Sequence, residues 1–229
     1  MIFLRSAALV FAFAVALIAA ARAHSLEEVD RDLYAKEKYF QPVDNATPDF
    51  ALQDANGATV RWGDFRGRVV ILNFIYTNCT DECPLHAERI AQIQAMVNLT
   101  PMKSAVAFIT ITTDPKRDNG KVLTDYGAAH GLDPANWTFL TAATDQPEDL
   151  TRRLAKSYGL EFTQTAEGPQ MHGVVTHVID LDGRLRARFH GLEFEPTNLV
   201  VFVNALVNHA QTPHHHDDPG FWGELKGMF

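Results

Sequence analysis

Two cysteines, the only two in the chain, stand four positions apart in Thr77-Asn78-Cys79-Thr80-Asp81-Glu82-Cys83-Pro84. Thiolates at such short range suit two kinds of chemistry: exchange with disulfides, or capture of a soft metal ion. A third use, a structural disulfide, would close a very small loop and constrain the unfolded chain little. A β-branched and aromatic run, Val69-Val70-Ile71-Leu72-Asn73-Phe74-Ile75-Tyr76, leads into the pair. A helix-like stretch follows, with Pro84 suited to its first position and Leu85, Ala87, Ile90, Ile93 and Val97 at helical spacing. Strand, short loop and helix start together set both thiols against the positive end of a helix dipole, which lowers thiol pKa and favours thiolate. A redox dithiol motif commonly has two residues between its cysteines. The three found here let both sulfurs curve round one ion and leave a position for a third ligand.

The elements that must hold this loop follow from the periodicity. Ala51, Leu52, Thr59 and Val60 flank Asn56-Gly57, a hairpin turn signal. Residues 69–76 and 106–112 read as buried strands and residues 137–140 as a third, shorter one. Asp118 is placed to cap a helix carrying Val122, Leu123 and Tyr126, and Pro147 to open another with Leu150, Leu154 and Tyr158 on one face. Residues 174–180 and 184–190 form a second hairpin around Asp182-Gly183. Pro196 starts a last helix with Leu199, Val200, Phe202, Val203, Leu206 and Val207 inward. Strands alternating with helices, then a hairpin and a final helix, predict an α/β sandwich, thioredoxin-like, with an N-terminal hairpin extension.

In such a sandwich the loop before the final hairpin faces the dithiol. That loop is Gly168-Pro169-Gln170-Met171-His172-Gly173, and His172 is its candidate third ligand; two thiolates and an imidazole suit copper in both oxidation states. A solvent-facing histidine is the competing reading. His177, five positions on, faces the opposite side of an extended strand and is a rival ligand or a core residue. His86 is read as a surface residue and His190 as structural. The segment from Thr113 to Asp118 is read as bordering the dithiol, with Asp114 orienting a loop or touching a partner; a plain turn at Asp114-Pro115 with Asp118 as a helix cap is the competing reading. His214-His215-His216 with Asp217 and Asp218 is a polar tail able to bind divalent metal loosely, and His24 offers an imidazole beside a new amino terminus. A thiol peroxidase would need Thr and Pro at fixed offsets around one Cys. Thr77 lies too close to Cys79 and no proline precedes it.

The chain has 229 residues and a formal net charge of −8. That size suits one domain with extensions, and that charge excludes nucleic acid and anionic lipid surfaces as partners. Arg5, an apolar run from Ser6 to Ala20 and Ala21-Arg22-Ala23 read as an export signal cleaved after Ala23, which leaves any membrane contact indirect; a membrane anchor is the competing reading. The expected division is signal 1–23, polar leader 24–46, domain 47–207 and His-rich tail 208–229. The expected compartment is the periplasm.

From Thr47 to Val207 the chain resembles the Sco family of copper-binding proteins. The resemblance rests on Asp49-Phe50-Ala51-Leu52 with Asn56-Gly57, Asp64-Phe65-Arg66-Gly67, Cys79-x-x-x-Cys83-Pro84, Thr113-Asp114-Pro115-Lys116-Arg117-Asp118, and His172 followed by Val178-Ile179-Asp180-Leu181-Asp182-Gly183. It departs from the family pattern at Thr80-Asp81 and at Met171. It implies a copper ion held by Cys79, Cys83 and His172. It also implies a metallochaperone role in assembling the copper centre of cytochrome c oxidase, with the copper-bearing subunit or another periplasmic copper protein as partner. A periplasmic thiol-disulfide reductase, using Cys79 and Cys83 as a redox-active dithiol without His172, is the alternative.

Overall fold

The computed structural model describes residues 25–165 and 168–211, with the backbone alone at residues 164, 165, 168–170, 172, 210 and 211. The segment read as an export signal, His24 and the histidine cluster at 214–216 lie outside the described residues. Ten strands occur in chain order: β1 (Phe40–Ala46), β2 (Ala51–Asp54), β3 (Thr59–Arg61), β4 (Val69–Ile75), β5 (Val106–Thr112), β6 (Trp137–Thr141), β7 (Glu161–Thr165), β8 (Gly168–His172), β9 (Val175–Ile179) and β10 (Arg184–His190). The helices are α1 (Leu26–Lys36), α2 (Glu82–Asn98), α3 (Gly120–Ala129), α4 (Leu150–Ser157) and α5 (Pro196–Gln211).

Eight strands form one sheet in the order β1-β10-β9-β4-β5-β6-β2-β3, with β4, β5 and β6 parallel and the remaining pairs antiparallel. Every residue of β4 and β5 is buried. That is why both read as unbroken apolar runs: strands covered on both faces have no solvent side to alternate with. One face carries Val69, Ile71 and Ile75 against α2, α3 and α5; the other carries Val70, Leu72 and Phe74 against α4. This is the expected thioredoxin-like α/β sandwich. Among the described residues no helix is long and apolar enough to cross a membrane.

The polar leader is more ordered than its composition implies. Ser25 and Glu28 form a reciprocal capping box at the start of α1. Leu26, Val29 and Leu33 bury the helix against α5, with Glu37 accepting from the Asn198 side chain (2.8 Å) and the Glu195 backbone (3.1 Å). Residues 40–46 then add β1 to the edge of the sheet beside β10. Only Phe40 of that strand is buried, its ring 5.3 Å from Phe189 and 5.4 Å from Phe202. A strand with Pro42 inside and polar residues on its rim is tolerated only at an edge, and it leaves no alternation to read.

Three sequence expectations are corrected. The segment Gly168–His172 is a strand, β8, paired with β7 in a separate two-stranded sheet. Phe162 and Met171 stand opposite each other and pack on the α4-side core, which draws the segment out of loop conformation. The helix read as capped by Asp118 begins at Gly120 with Asn119 at its cap position, and the one read as opened by Pro147 begins at Leu150. The first of these shifts arises because Asp118 is used elsewhere.

Candidate functional site

β4 ends at Ile75 and the chain turns over Tyr76-Thr77-Asn78 to reach Cys79, whose backbone N–H donates to the Tyr76 carbonyl at 3.2 Å. α2 starts at Glu82, two residues earlier than expected, so Pro84 occupies its third position and Cys83 its second. Asp81, at the cap position, makes no side-chain cap bond. The Cys79 sulfur takes that place instead, accepting the Cys83 backbone N–H at 3.3 Å. An orphan donor of the first turn therefore points at the sulfur, where it stabilises negative charge.

The two thiols are free and unequal. Cys79 is partly exposed and Cys83 is 4 % exposed. Burial alone would raise the Cys79 pKa. Hydrogen bonds from the Cys83 thiol, the Asp81 and Cys83 backbone N–H groups and the Tyr76 hydroxyl more than offset it, and the thiol is held below its ordinary value. Burial pushes the Cys83 thiol up, and its bond to Cys79 pushes it further. The expectation that the helix terminus activates both thiols is corrected: Cys79 sits in front of the helix and gains, while Cys83 sits inside the first turn and loses to desolvation. Tyr76 is pushed up to about 12, by burial and then by the neighbouring Cys79.

Asp118 clamps the loop. It is fully buried and accepts from the Thr77 backbone N–H at 2.9 Å, from the Thr77 hydroxyl, and from the Thr112 hydroxyl at 2.5 Å. Thr113 donates its N–H to the Ile75 carbonyl at 2.8 Å, binding the same two strand ends together. Asp114 pairs with Arg117, whose backbone N–H donates back to the Asp114 carbonyl, so the residues form a turn that borders the cysteine loop near Tyr76. Sequence reasoning took Asp118 for a helix cap. The available signal was Thr77 and Thr112, two hydroxyl donors just past or at the ends of adjacent parallel strands in register, Ile75 opposite Thr112. On the far side, the Tyr126 hydroxyl donates to the Cys83 carbonyl at 3.0 Å and braces α2 against α3.

His172 is the last residue of β8, its backbone opposite Glu161; its side chain lies outside the described part of the structure. Gly173 follows at φ 83°, a left-handed conformation that favours glycine, and the chain enters β9 at Val175. β9 runs antiparallel to β4 with Thr176 opposite Asn73. The backbone at His172 and the backbone at Cys79 therefore leave the sheet at the same end. Among the described residues, no group of three or more His, Cys, Asp or Glu side chains is gathered closely enough to hold a metal ion.

The other histidines resolve differently. His177 is a core residue, fully buried between Phe74 and Tyr158, with its Nε2 3.2 Å from the Tyr158 carbonyl and its pKa pushed down to about 4 by burial. His86, expected on the surface, is 1 % exposed and shares a 2.9 Å hydrogen bond with the Thr176 hydroxyl. Burial, then the proximity of His177, pushes it down to about 3. Its position on α2 faces the sheet, and a polar partner from β9 makes that burial tolerable. His190 ties β10 to β1 through Gln41 at 2.9 Å.

A central mixed sheet covered by helices on both faces, with a dithiol between a parallel strand and the helix that follows it, defines a thioredoxin-like protein. Residues 40–208 match the SCO1/SenC family, and the chain belongs to that family. The SCO1 protein homolog of Bacillus subtilis is 24% identical over 161 residues, covering 70% of this chain and 81% of that protein. The fold is shared with BsSco, a Sco family member in which a disulfide switch was identified (22% identity, 73% and 96% of the two chains, TM-score 0.64). It is shared also with copper-bound ScoI of Bradyrhizobium japonicum (24% identity, 70% and 99% of the two chains, TM-score 0.58).

Proposed function

We propose that the chain is an exported copper metallochaperone that serves the copper centre of a cytochrome c oxidase, with one copper ion held as cargo by Cys79, Cys83 and His172. The observation that carries this reading is the common exit of the Cys79 and His172 segments from one end of the sheet, with an activated thiol already at the exit. Family membership and the copper-bound relatives support it. Two soft sulfurs and one imidazole suit copper, and metal binding draws on the deprotonated thiols. Transfer proceeds by stepwise ligand exchange with the copper-bearing subunit or another periplasmic copper protein. Exchange with a partner disulfide releases the ion as well. The Cys79 thiolate attacks one partner sulfur, the Cys83 thiolate then displaces it, and a Cys79–Cys83 disulfide forms as the partner leaves as a dithiol. The compartment is the periplasm, with the export signal cleaved after Ala23.

The test is anaerobic titration of the reduced protein with copper. One ion per chain with sulfur-to-copper charge-transfer absorption, lost in Cys79→Ser and in His172→Ala, is the expected result. Failure to bind refutes the reading.

The inequality of the thiols favours a second reading, a thiol-disulfide reductase acting on cysteines of an oxidase subunit. An exposed thiolate attacks and a buried thiol resolves the mixed disulfide. This reading does not need His172, so a His172→Ala variant that keeps full biological activity in oxidase assembly favours it, and one that loses that activity while still reducing a disulfide substrate favours copper delivery.

A further inference from the structure

Cys83 and His172 lie on different elements, α2 and β8, and the sheet-facing contact between α2 and the strand after β8 is polar where its surroundings are not. His86 is three residues beyond Cys83 and Thr176 is four beyond His172. Both are buried, and they share a 2.9 Å hydrogen bond. Ile71, Ile75, Ala87, Ile90 and Val178 make up the same layer, so an apolar pair would pack at these two positions without any unpaired polar atom. Replacing a buried polar pair by apolar groups of similar shape is often neutral for stability, whereas a directional bond fixes one relative placement of the elements it joins. The pair also continues a polar row across the sheet. Thr176 stands opposite Asn73, Asn73 accepts from the Thr110 hydroxyl at 2.8 Å, and Trp137 donates to Thr110 at 3.0 Å. That row crosses β9, β4, β5 and β6 on the face that α2 and α3 cover, and His86 is where it meets α2.

We propose that the His86–Thr176 hydrogen bond is a latch that sets the roll and height of α2 against β9, and thereby the separation between the Cys83 sulfur and the segment carrying His172. His86 and Thr176 are positioning residues and touch no copper ion. The inference rests on the Cys79–Cys83–His172 reading for its functional consequence, and on the metal-free protein for its mechanical one.

The experiment compares wild type with His86→Leu, Thr176→Val, Thr176→Ser and the double variant His86→Leu/Thr176→Val. Three quantities are measured: copper affinity by competition with a copper(I) chelator, thermal midpoint, and amide hydrogen exchange at residues 172–176 without metal. The single apolar variants are expected to weaken copper about 10- to 100-fold, the range for residues that orient metal ligands. They are also expected to speed exchange at 172–176 more than elsewhere in the sheet. Thr176→Ser, which keeps the hydroxyl, restores both. The double variant recovers most of the thermal midpoint but neither copper affinity nor exchange protection. A double variant with wild-type affinity and protection overturns the latch and leaves the pair a packing detail. If the wild type takes up no copper, the metal reading fails by itself, and local exchange at 172–176 alone decides for or against the latch.

Discussion

Removing the Asp118 carboxylate tests how the cysteine loop is held. Asp118 accepts three hydrogen bonds, two from Thr77 and one from Thr112. Bonds to a charged acceptor contribute about 1.5–3 kcal/mol each, and the three are not additive. In Asp118→Ala the half-buried Thr77 donors can turn to water, but the fully buried Thr112 hydroxyl is left without its acceptor. The expected net loss is about 3–5 kcal/mol of unfolding free energy, a large share of the roughly 5–15 kcal/mol typical of a domain. Asp118→Asn keeps the volume and one acceptor but turns an amide donor towards a hydroxyl or an N–H, so it should lose about 2 kcal/mol. Denaturant unfolding of the reduced protein measures both. Because the bonds tether residue 77, the loop should loosen before the core does, so alkylation of the buried Cys83 should accelerate more than global unfolding accounts for. An Asp118→Ala variant with an unchanged unfolding midpoint and wild-type Cys83 alkylation would refute the clamp.

Tyr76→Phe deletes a donor to the Cys79 sulfur and should raise that thiol's pKa, moving the pH midpoint of Cys79 alkylation by iodoacetamide upward; an unchanged midpoint would exclude the contact. His177 has its pKa pushed down to about 4 in the fold against about 6.5 in the unfolded chain, so its contribution is intact above pH 6.5 and is lost as the pH falls towards 4. The shift corresponds to about 3 kcal/mol. His177→Leu should flatten that part of the stability–pH curve, leaving the fall contributed by His86. Gly127→Ala would set a Cβ 2.3 Å from the Trp137 ring, and the overpacking should cost about 1–3 kcal/mol, read as a lower thermal midpoint.

The strands that bracket the dithiol were legible because β4 and β5 are buried on both faces, and α5 because Leu199, Phe202, Val203 and Leu206 recur on one side. β1 and β8 were not. Each is held mainly by pairing with a partner strand, and neither carries a run of apolar residues of its own. The residues that shape the site were hidden for a related reason. Asp118 and His86 are polar side chains turned inward, and what makes that tolerable lies 41 residues away for Asp118 (Thr77) and 90 away for His86 (Thr176). Local pattern points such residues outward; only the register of adjacent strands brings their partners to them. The cysteine pair itself was visible from spacing. The division of labour between its members was not, because it depends on which sulfur stands before the helix and which inside it.

The antiparallel packing of α1 along α5 fixes where the two ends of the described fold lie relative to the thiols. β10 runs in the same sense as β4, so α5 begins near the pole where the thiols sit and runs about 24 Å back from it over sixteen residues. Glu37 meets Asn198 at one end of the helix pair, and Glu27 feels His209 at the other. Ser25 and Gln211 thus both emerge at the opposite pole. The described fold therefore opens and closes on one pole and presents its two sulfurs at the other.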